Sequence, residues 1–489
     1  MKTVQKTLLG GAVTLFLVAA MTACAGNTDA GDPSVTNAPG GASDTTAAVT
    51  EDPYKLPEAD FGGAEVKFLV TEENWGYWHI DEAESTGDVL SDAVYKRNRA
   101  VEEALGVVIV EQSEHYSTSY TTAANAILAG EDAFDAMTLF SSQIMTAATE
   151  QQLLDVSGLD GLELDRVWWN KNAIDDMAIG DKRFMLIGDL HLMFYESYYA
   201  MMFNQDLIAK YDLEDPYQLV SDGKWTYDKL YEMAQTASED LNGDSAMTPV
   251  SDAYGICAHQ NSGQSMVLAM GGSLLSRDAD GVPVWAGLNE NFVDVYGKVA
   301  ALYGDSSVVM TNGTKGAKDV VTSIGAYNQV FLDGRSLFLI EVVGTLSQLR
   351  DMDSNFGIIV MPKNNEADEY ISPVYHNALG VCLPVTNADA EMTATVLEAM
   401  AIKSHEIVRP VYYETVLGSK LTRDEASVTS LDIVFDSGRF EPAYVYNWGD
   451  ISGTMYVSIA NGKDIVSAVE KINKKIETEY AKTIDAFDE

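Results

Sequence analysis

Between Glu65 and Phe140 the sequence switches repeatedly between two periodicities, and few folds accept that pattern. Val66, Phe68 and Val70 recur at every second position across Glu65–Thr71, the spacing of a strand with one buried face. Asp88 to Leu105 then brings Leu90, Val94, Val101 and Leu105 onto one helical face, and Gly106 supplies a left-handed stop. Val107-Val108-Ile109-Val110 follows as an apolar run of the kind found in strands buried on both sides. A second helix over Thr118–Ala129 ends at Gly130, and Phe134–Phe140 reads as the next strand. Strands and helices alternating across short connections build βαβ units on a parallel sheet, so the fold class is α/β. Ligands of such sheets sit beyond the carboxyl ends of the strands. Here those ends are Glu72–Trp78 and Phe140–Gln143.

The middle of the chain is less regular. Lys182–Ile187 and Leu190–Asn204 read as strands, the second rich in Tyr and Met. Trp225–Ala237 reads as a helix with Thr226 as N-cap, and Ser265–Met270 as a short helix. Phe356–Val360 is a buried strand and Ala390–Lys403 a helix. Asp464–Ile484 closes the chain as an amphipathic helix with Ile465, Val469, Ile472 and Ile476 on one face. A length of 489 residues allows two or three domains.

Charge removes whole classes of function. With 74 acidic and 31 basic side chains the chain carries −43, which repels phosphate backbones and excludes nucleic-acid binding. The same field disfavours anionic ligands. No G-x-S-x-G, H-E-x-x-H or Walker A pattern occurs. Of three cysteines, Cys257 and Cys382 lie in apolar surroundings and read as buried free thiols.

The third cysteine belongs to the amino terminus. Lys2 and Lys6 precede an apolar stretch, Leu8–Ala20, too short to span a bilayer and suited to a signal peptide. Met21-Thr22-Ala23-Cys24 resembles a bacterial lipobox, which implies that residues 1–23 are removed and that Cys24 is lipidated. Acyl chains there would anchor an extracytoplasmic protein to the cell membrane. Residues 24–60 read as a flexible linker, since Ala25–Thr50 is almost wholly Ala, Gly, Ser, Thr, Asn, Asp and Pro.

Six segments, in order, resemble family 1 extracellular solute-binding proteins, the maltose-binding-like receptors of carbohydrate ABC importers. They are Arg97 to Val107, Ala129-Gly130-Glu131-Asp132-Ala133-Phe134-Asp135-Ala136, and Met202-Phe203-Asn204-Gln205-Asp206-Leu207. The others are Gly223 to Leu230, Phe331-Leu332-Asp333-Gly334-Arg335-Ser336-Leu337-Phe338, and Ala460-Asn461-Gly462-Lys463-Asp464. Gly223-Lys224 departs from the family's usual proline, and the polar stretch Tyr303–Ser323 has no counterpart. The resemblance implies a two-lobe periplasmic-binding-protein-like fold of type II with a hinge and an interlobe cleft. By analogy the first lobe holds 61–192 plus 357–405 and the second 193–356 plus 406–489. It further implies a monomer that captures a sugar by lobe closure and hands it to membrane permease subunits.

Several residues are candidates for the ligand site. Glu72, Trp75 and Trp78 follow the first strand at its carboxyl end, as platform and polar group or as an aromatic loop packed on the surface. Ser141 and Ser142 end the third strand, where the family has a contact loop. Of the neighbours Trp168 and Trp169 one must face away from the other, so at least one is a core residue, and Trp169 is a ligand platform or that core residue. The resemblance points to Glu196 as a carboxylate accepting from sugar hydroxyls, to Asn261 in a loop bordering the cleft, and to Trp448 as a stacking aromatic. Glu341 stands alone in the apolar run Ser336–Val343, and a carboxylate there requires a partner or the cleft. No cofactor is expected, save that Asp240, Asn242 and Asp244 alternate as in a calcium loop. An Asn-Gly turn with solvated aspartates accounts for the same residues. The other functional classes are an extracellular glycosidase, which needs two facing carboxylates, and a receptor for a non-sugar solute.

Overall fold

The computed structural model describes residues 54–417 and 425–487. The signal segment 1–23, Cys24 and the linker up to residue 53 lie outside the described residues. The first strand, β1 (Ala64–Glu72), leads to a helix over Val89–Leu105 whose Val94, Val101 and Leu105 are buried as their spacing requires. Asp88 caps that helix by accepting from the amides of Leu90 and Ser91. Gly106 ends it at φ 62°, where a Cβ would lie 2.2 Å from the Asp60 carboxylate. Then follow β2 (Val107–His115), a helix over Ser119–Ala129 and β3 (Ala136–Phe140). β1 pairs in parallel with both neighbours, at Val66↔Ile109 and Leu69↔Met137, so the expected parallel sheet is present.

The stretch 190–204, expected as one strand, is a short helix over Leu192–Glu196 followed by β4 (Tyr199–Asn204). Leu192 to Tyr195 are buried on every side, and an apolar run without alternation does not distinguish the two conformations. Lys182–Ile187 forms isolated bridges, such as Leu186↔Val381, rather than a strand. A helix over Tyr227–Ala237, capped by Thr226, precedes β5 (Tyr254–Ala258). The chain continues through a hairpin of β6 (Leu275–Arg277) and β7 (Pro283–Trp285), then β8 (Val309–Thr311), β9 (Ser336–Val342) and β10 (Phe356–Ile359). The second sheet has the order β10-β4-β9-β5-β8. The stretch 303–323 thus contributes the edge strand β8.

β10 straddles the boundary drawn by analogy at 356/357. Assigned by analogy to the first lobe's 357–405 segment, it pairs antiparallel with β4 at Phe356↔Asn204, so the chain leaves the second sheet after Ile359. It returns through β11 (Ser372–Pro373) to β12 (Leu379–Cys382), which lies antiparallel to β3 and completes the first sheet as β12-β3-β1-β2. β11 also pairs with β13 (Gly438–Arg439) beside the crossing. The helix over Arg409–Leu417 packs on the Val89–Leu105 helix, whereas that over Glu425–Asp436 packs on β10. The chain therefore passes between the sheets three times, inside the one unit Pro53–Glu489. Cys257 in β5 and Cys382 in β12 are buried free thiols, as expected.

Candidate ligand cleft between the two sheets

Because β1, β2 and β3 run parallel, their carboxyl ends share one edge of the first sheet, and those of β5, β8 and β9 share one edge of the second. The two edges face each other across the crossing segments. A Cβ on Gly344, just after β9, would lie 2.9 Å from Cζ3 of Trp75 and 3.2 Å from Cβ of Glu196. The Tyr77 amide donates to Glu196 Oε2 at 3.0 Å. Ser141 Oγ donates to the His376 carbonyl at 2.7 Å, and Ser142 Oγ to Asn377 Oδ1 at 2.6 Å. From the opposite side Gln264 Nε2 reaches within 3.3 Å of His376 Nδ1. The crossing segments around Glu196 and His376 form the floor, and the strand ends form the walls.

The second sheet's wall is rich in phenols gathered about one carboxylate. Glu341 is 8% exposed; its Oε1 accepts from the Val342 amide at 2.9 Å and the Tyr327 hydroxyl also donates to it. Burial raises its pKa despite those donors. Tyr199, Tyr303, Tyr327 and Tyr375 all feel its charge. Tyr303 shares a 2.7 Å hydrogen bond with Ser262 Oγ, and the Tyr327 ring meets that of His259 edge-on at 5.6 Å. Tyr375 lies 4.8 Å from the His376 ring. Burial pushes His376 down to about 4 and lowers His259 as well, so both imidazoles are neutral at pH 7. Burial pushes Glu196 up to about 7. The cleft thus combines ring faces, hydroxyls and carboxylate oxygens without a fixed positive charge from its histidines.

Glu196 supplies a pH test. Its folded pKa of about 7 lies above the value of 4.5 it has when solvated, so its contribution favours folding at low pH and is lost as pH rises from about 4.5 to 7. The Glu196→Gln variant lacks that loss. Its melting temperature should therefore gain on the wild type's between pH 5 and pH 8, and a constant difference would show an unshifted carboxylate.

Of the residues singled out from sequence, Trp75, Ser141, Ser142, Glu196 and Glu341 converge here. Asn261 joins them at the end of β5, its amide donating to His259 Nδ1 at 3.1 Å. Glu72 is exposed at the end of β1, its carbonyl accepting from Tyr116. Trp78 is half-buried with its ring 3.7 Å from that of His79, and its carbonyl is bonded to His191 Nε2 on the first sheet's side. Two tryptophans sit in the core rather than on the cleft walls. Trp169 is 4% exposed and donates its indole N–H to Glu398 Oε2 at 2.8 Å, beside Trp168 on Oε1. Trp448 is 2% exposed, donates to Thr483 Oγ1 at 2.9 Å and stacks on Tyr446 at 4.9 Å beneath the last helix, Ile465–Asp485. Both have found their partner inside the core. Tyr303, Tyr327, Tyr375 and His376 were missed: the first two stand at the end of one helix and the start of another, and the last two in an irregular crossing, where no periodicity marks them. Tyr199 was visible as part of a Tyr- and Met-rich strand.

The residues of the suspected calcium loop bind their own backbone. Asp240 accepts from the amides of Gly243 and Ser245, both at 2.7 Å, Asn242 from Asp244 and Asp244 from Ala246. Among the described residues no group of three or more His, Cys, Asp or Glu is placed to hold a metal. Chelation with EDTA is accordingly expected to leave the melting temperature unchanged, and a fall of several degrees would restore the calcium reading.

No helix among the described residues is long and apolar enough to cross a membrane. A family profile described as bacterial extracellular solute-binding protein matches residues 96–343. No curated protein matches the chain. Solved structures share its fold at low identity. An ABC substrate-binding protein from Listeria monocytogenes, in complex with cycloalternan, superposes with a TM-score of 0.54 at 17% identity, covering 85% of this chain and 99% of the other. An extracellular solute-binding protein from Staphylococcus aureus in complex with maltose gives 0.58 at 12% identity over 87% and 98%. A sugar transporter protein from Rhizobium etli in an open conformation gives 0.57 at 11% identity over 85% and 99%.

Proposed function

The chain belongs to the bacterial extracellular solute-binding protein family, and from that premise we propose that it is a receptor capturing a sugar or oligosaccharide in the cleft between its two sheets. The observation that carries this reading is the meeting of both carboxyl edges over a floor of crossing segments, with Trp75 on one wall and the tyrosines around Glu341 on the other. Saccharides present hydroxyl rims and apolar C–H faces, and such a lining complements both. The saccharides bound by the Listeria and Staphylococcus proteins of the same fold support that choice of ligand.

Capture works by closure. The closed arrangement contacts the sugar from both walls and the open one from a single wall, so ligand shifts the population by that difference in affinity. The receptor is a monomer, tethered to the cell membrane through acyl chains on Cys24, and the loaded form docks on the permease subunits of an ABC importer. It performs no chemistry on its ligand.

A thermal-shift screen against mono- and oligosaccharides tests this. Ligand at 100 times its dissociation constant adds about 2.7 kcal/mol to stability. A rise of several degrees with a particular sugar, recovered intact, is the expected result. Breakdown of the sugar would identify a glycosidase, and no shift with any sugar would identify a receptor for another solute.

A further inference from the structure

We infer that the cleft selects a saccharide bearing an amino group, with its ammonium seated against the Glu341 carboxylate. The inference rests on the sugar-binding reading above and narrows it. Glu341 lies near the carboxyl end of β9, paired with Ala200 of β4, in the wall of the cleft. It is 8% exposed, and among the described residues its ionisation is governed by burial, the Val342 amide and the Tyr327 hydroxyl, with no cation among its partners. A carboxylate offers about four lone-pair sites, so two donors leave room for a ligand to complete its shell.

The surroundings compound the need for positive charge. Glu73 on the facing edge acts on the same Tyr375 that feels Glu341. His259 and His376 are held neutral by burial and supply no compensation. Tyr199, Tyr303, Tyr327 and Tyr375 gather about the same carboxylate, and aromatic rings in such a site suit a cation. A sugar hydroxyl would make a hydrogen bond to Glu341 and leave its charge uncompensated. An ammonium makes charge-assisted hydrogen bonds and neutralises it. The chain's net charge of −43 draws the same ligands from a distance.

The test is calorimetric titration with matched pairs, glucosamine against N-acetylglucosamine and the chitosan trisaccharide against its fully acetylated form. The amine of a pair is expected to bind roughly tenfold tighter or more, an advantage that shrinks with added salt. Glu341→Gln is expected to bring the ratio within a pair close to one, with its melting curve recorded alongside. Should that variant fail to fold, the salt dependence of the wild-type ratio decides. Equal or tighter binding of the acetylated forms, or of neutral sugars such as maltotriose, overturns this inference and leaves the sugar receptor standing. Failure of every saccharide, amino or neutral, overturns both.

Discussion

Truncating Trp448 to alanine is expected to lower stability by about 3–5 kcal/mol and to leave ligand affinity within about twofold of wild type. The indole is 2% exposed, stacked on Tyr446 and edge-on to Tyr480, with its N–H on Thr483 of the closing helix. Removing it opens a cavity where the Ile465–Asp485 helix packs on the residues around Gly449 and leaves the Thr483 hydroxyl with its bond to the Glu479 carbonyl alone. None of those contacts belongs to the cleft wall. Denaturant melts and a titration with the same sugar separate the two effects. A large loss of affinity with little loss of stability would make Trp448 the stacking platform that the family resemblance implied.

Gly344→Val is expected to do the reverse, weakening ligand binding roughly 10- to 100-fold with a smaller effect on the melting temperature. Gly344 follows β9 where the second sheet's wall meets the floor. Any Cβ there comes within 2.9 Å of the Trp75 ring and 3.2 Å of Glu196 Cβ. Those are tighter than ordinary contacts, so either the indole leaves its place or the Leu192–Glu196 crossing shifts. Overpacking of this kind costs about 1–3 kcal/mol, and it falls on the arrangement in which the two walls approach. The apparent affinity drops by the fraction of molecules still able to reach that arrangement. Titration of the purified variant measures it, and unchanged affinity would show that Trp75 and Gly344 need not meet for binding.

The first sheet was legible because its determinants are local. Alternation in β1, one apolar helical face and left-handed glycines at 106 and 130 each mark their element within a few residues. The crossings were not. Leu192–Glu196 is buried on nearly all sides and carries no period, and β10 joins the second sheet through β4, a partner some 150 residues earlier in the chain. Glu341 stood out because a lone acid in an apolar strand needs a reason, and the structure supplies one in Tyr327 and the cleft. Tryptophan gave no such guidance. Trp75, Trp169 and Trp448 are alike as sequence, and only the third dimension decides which indole N–H finds a partner in the core. Tyr327 and Tyr375 reach the site from a short helix and an irregular crossing, so their convergence depends on the completed fold.

Hydrogen exchange with and without the sugar that gives the largest thermal shift tests capture between the sheets most directly, since protection reports backbone ordering segment by segment. Ligand is expected to slow exchange together on both walls and the floor, at residues 72–78, 141–143, 259–264, 341–344 and 375–377. Protection confined to one wall, or centred on Trp169 and Trp448 instead, would contradict it.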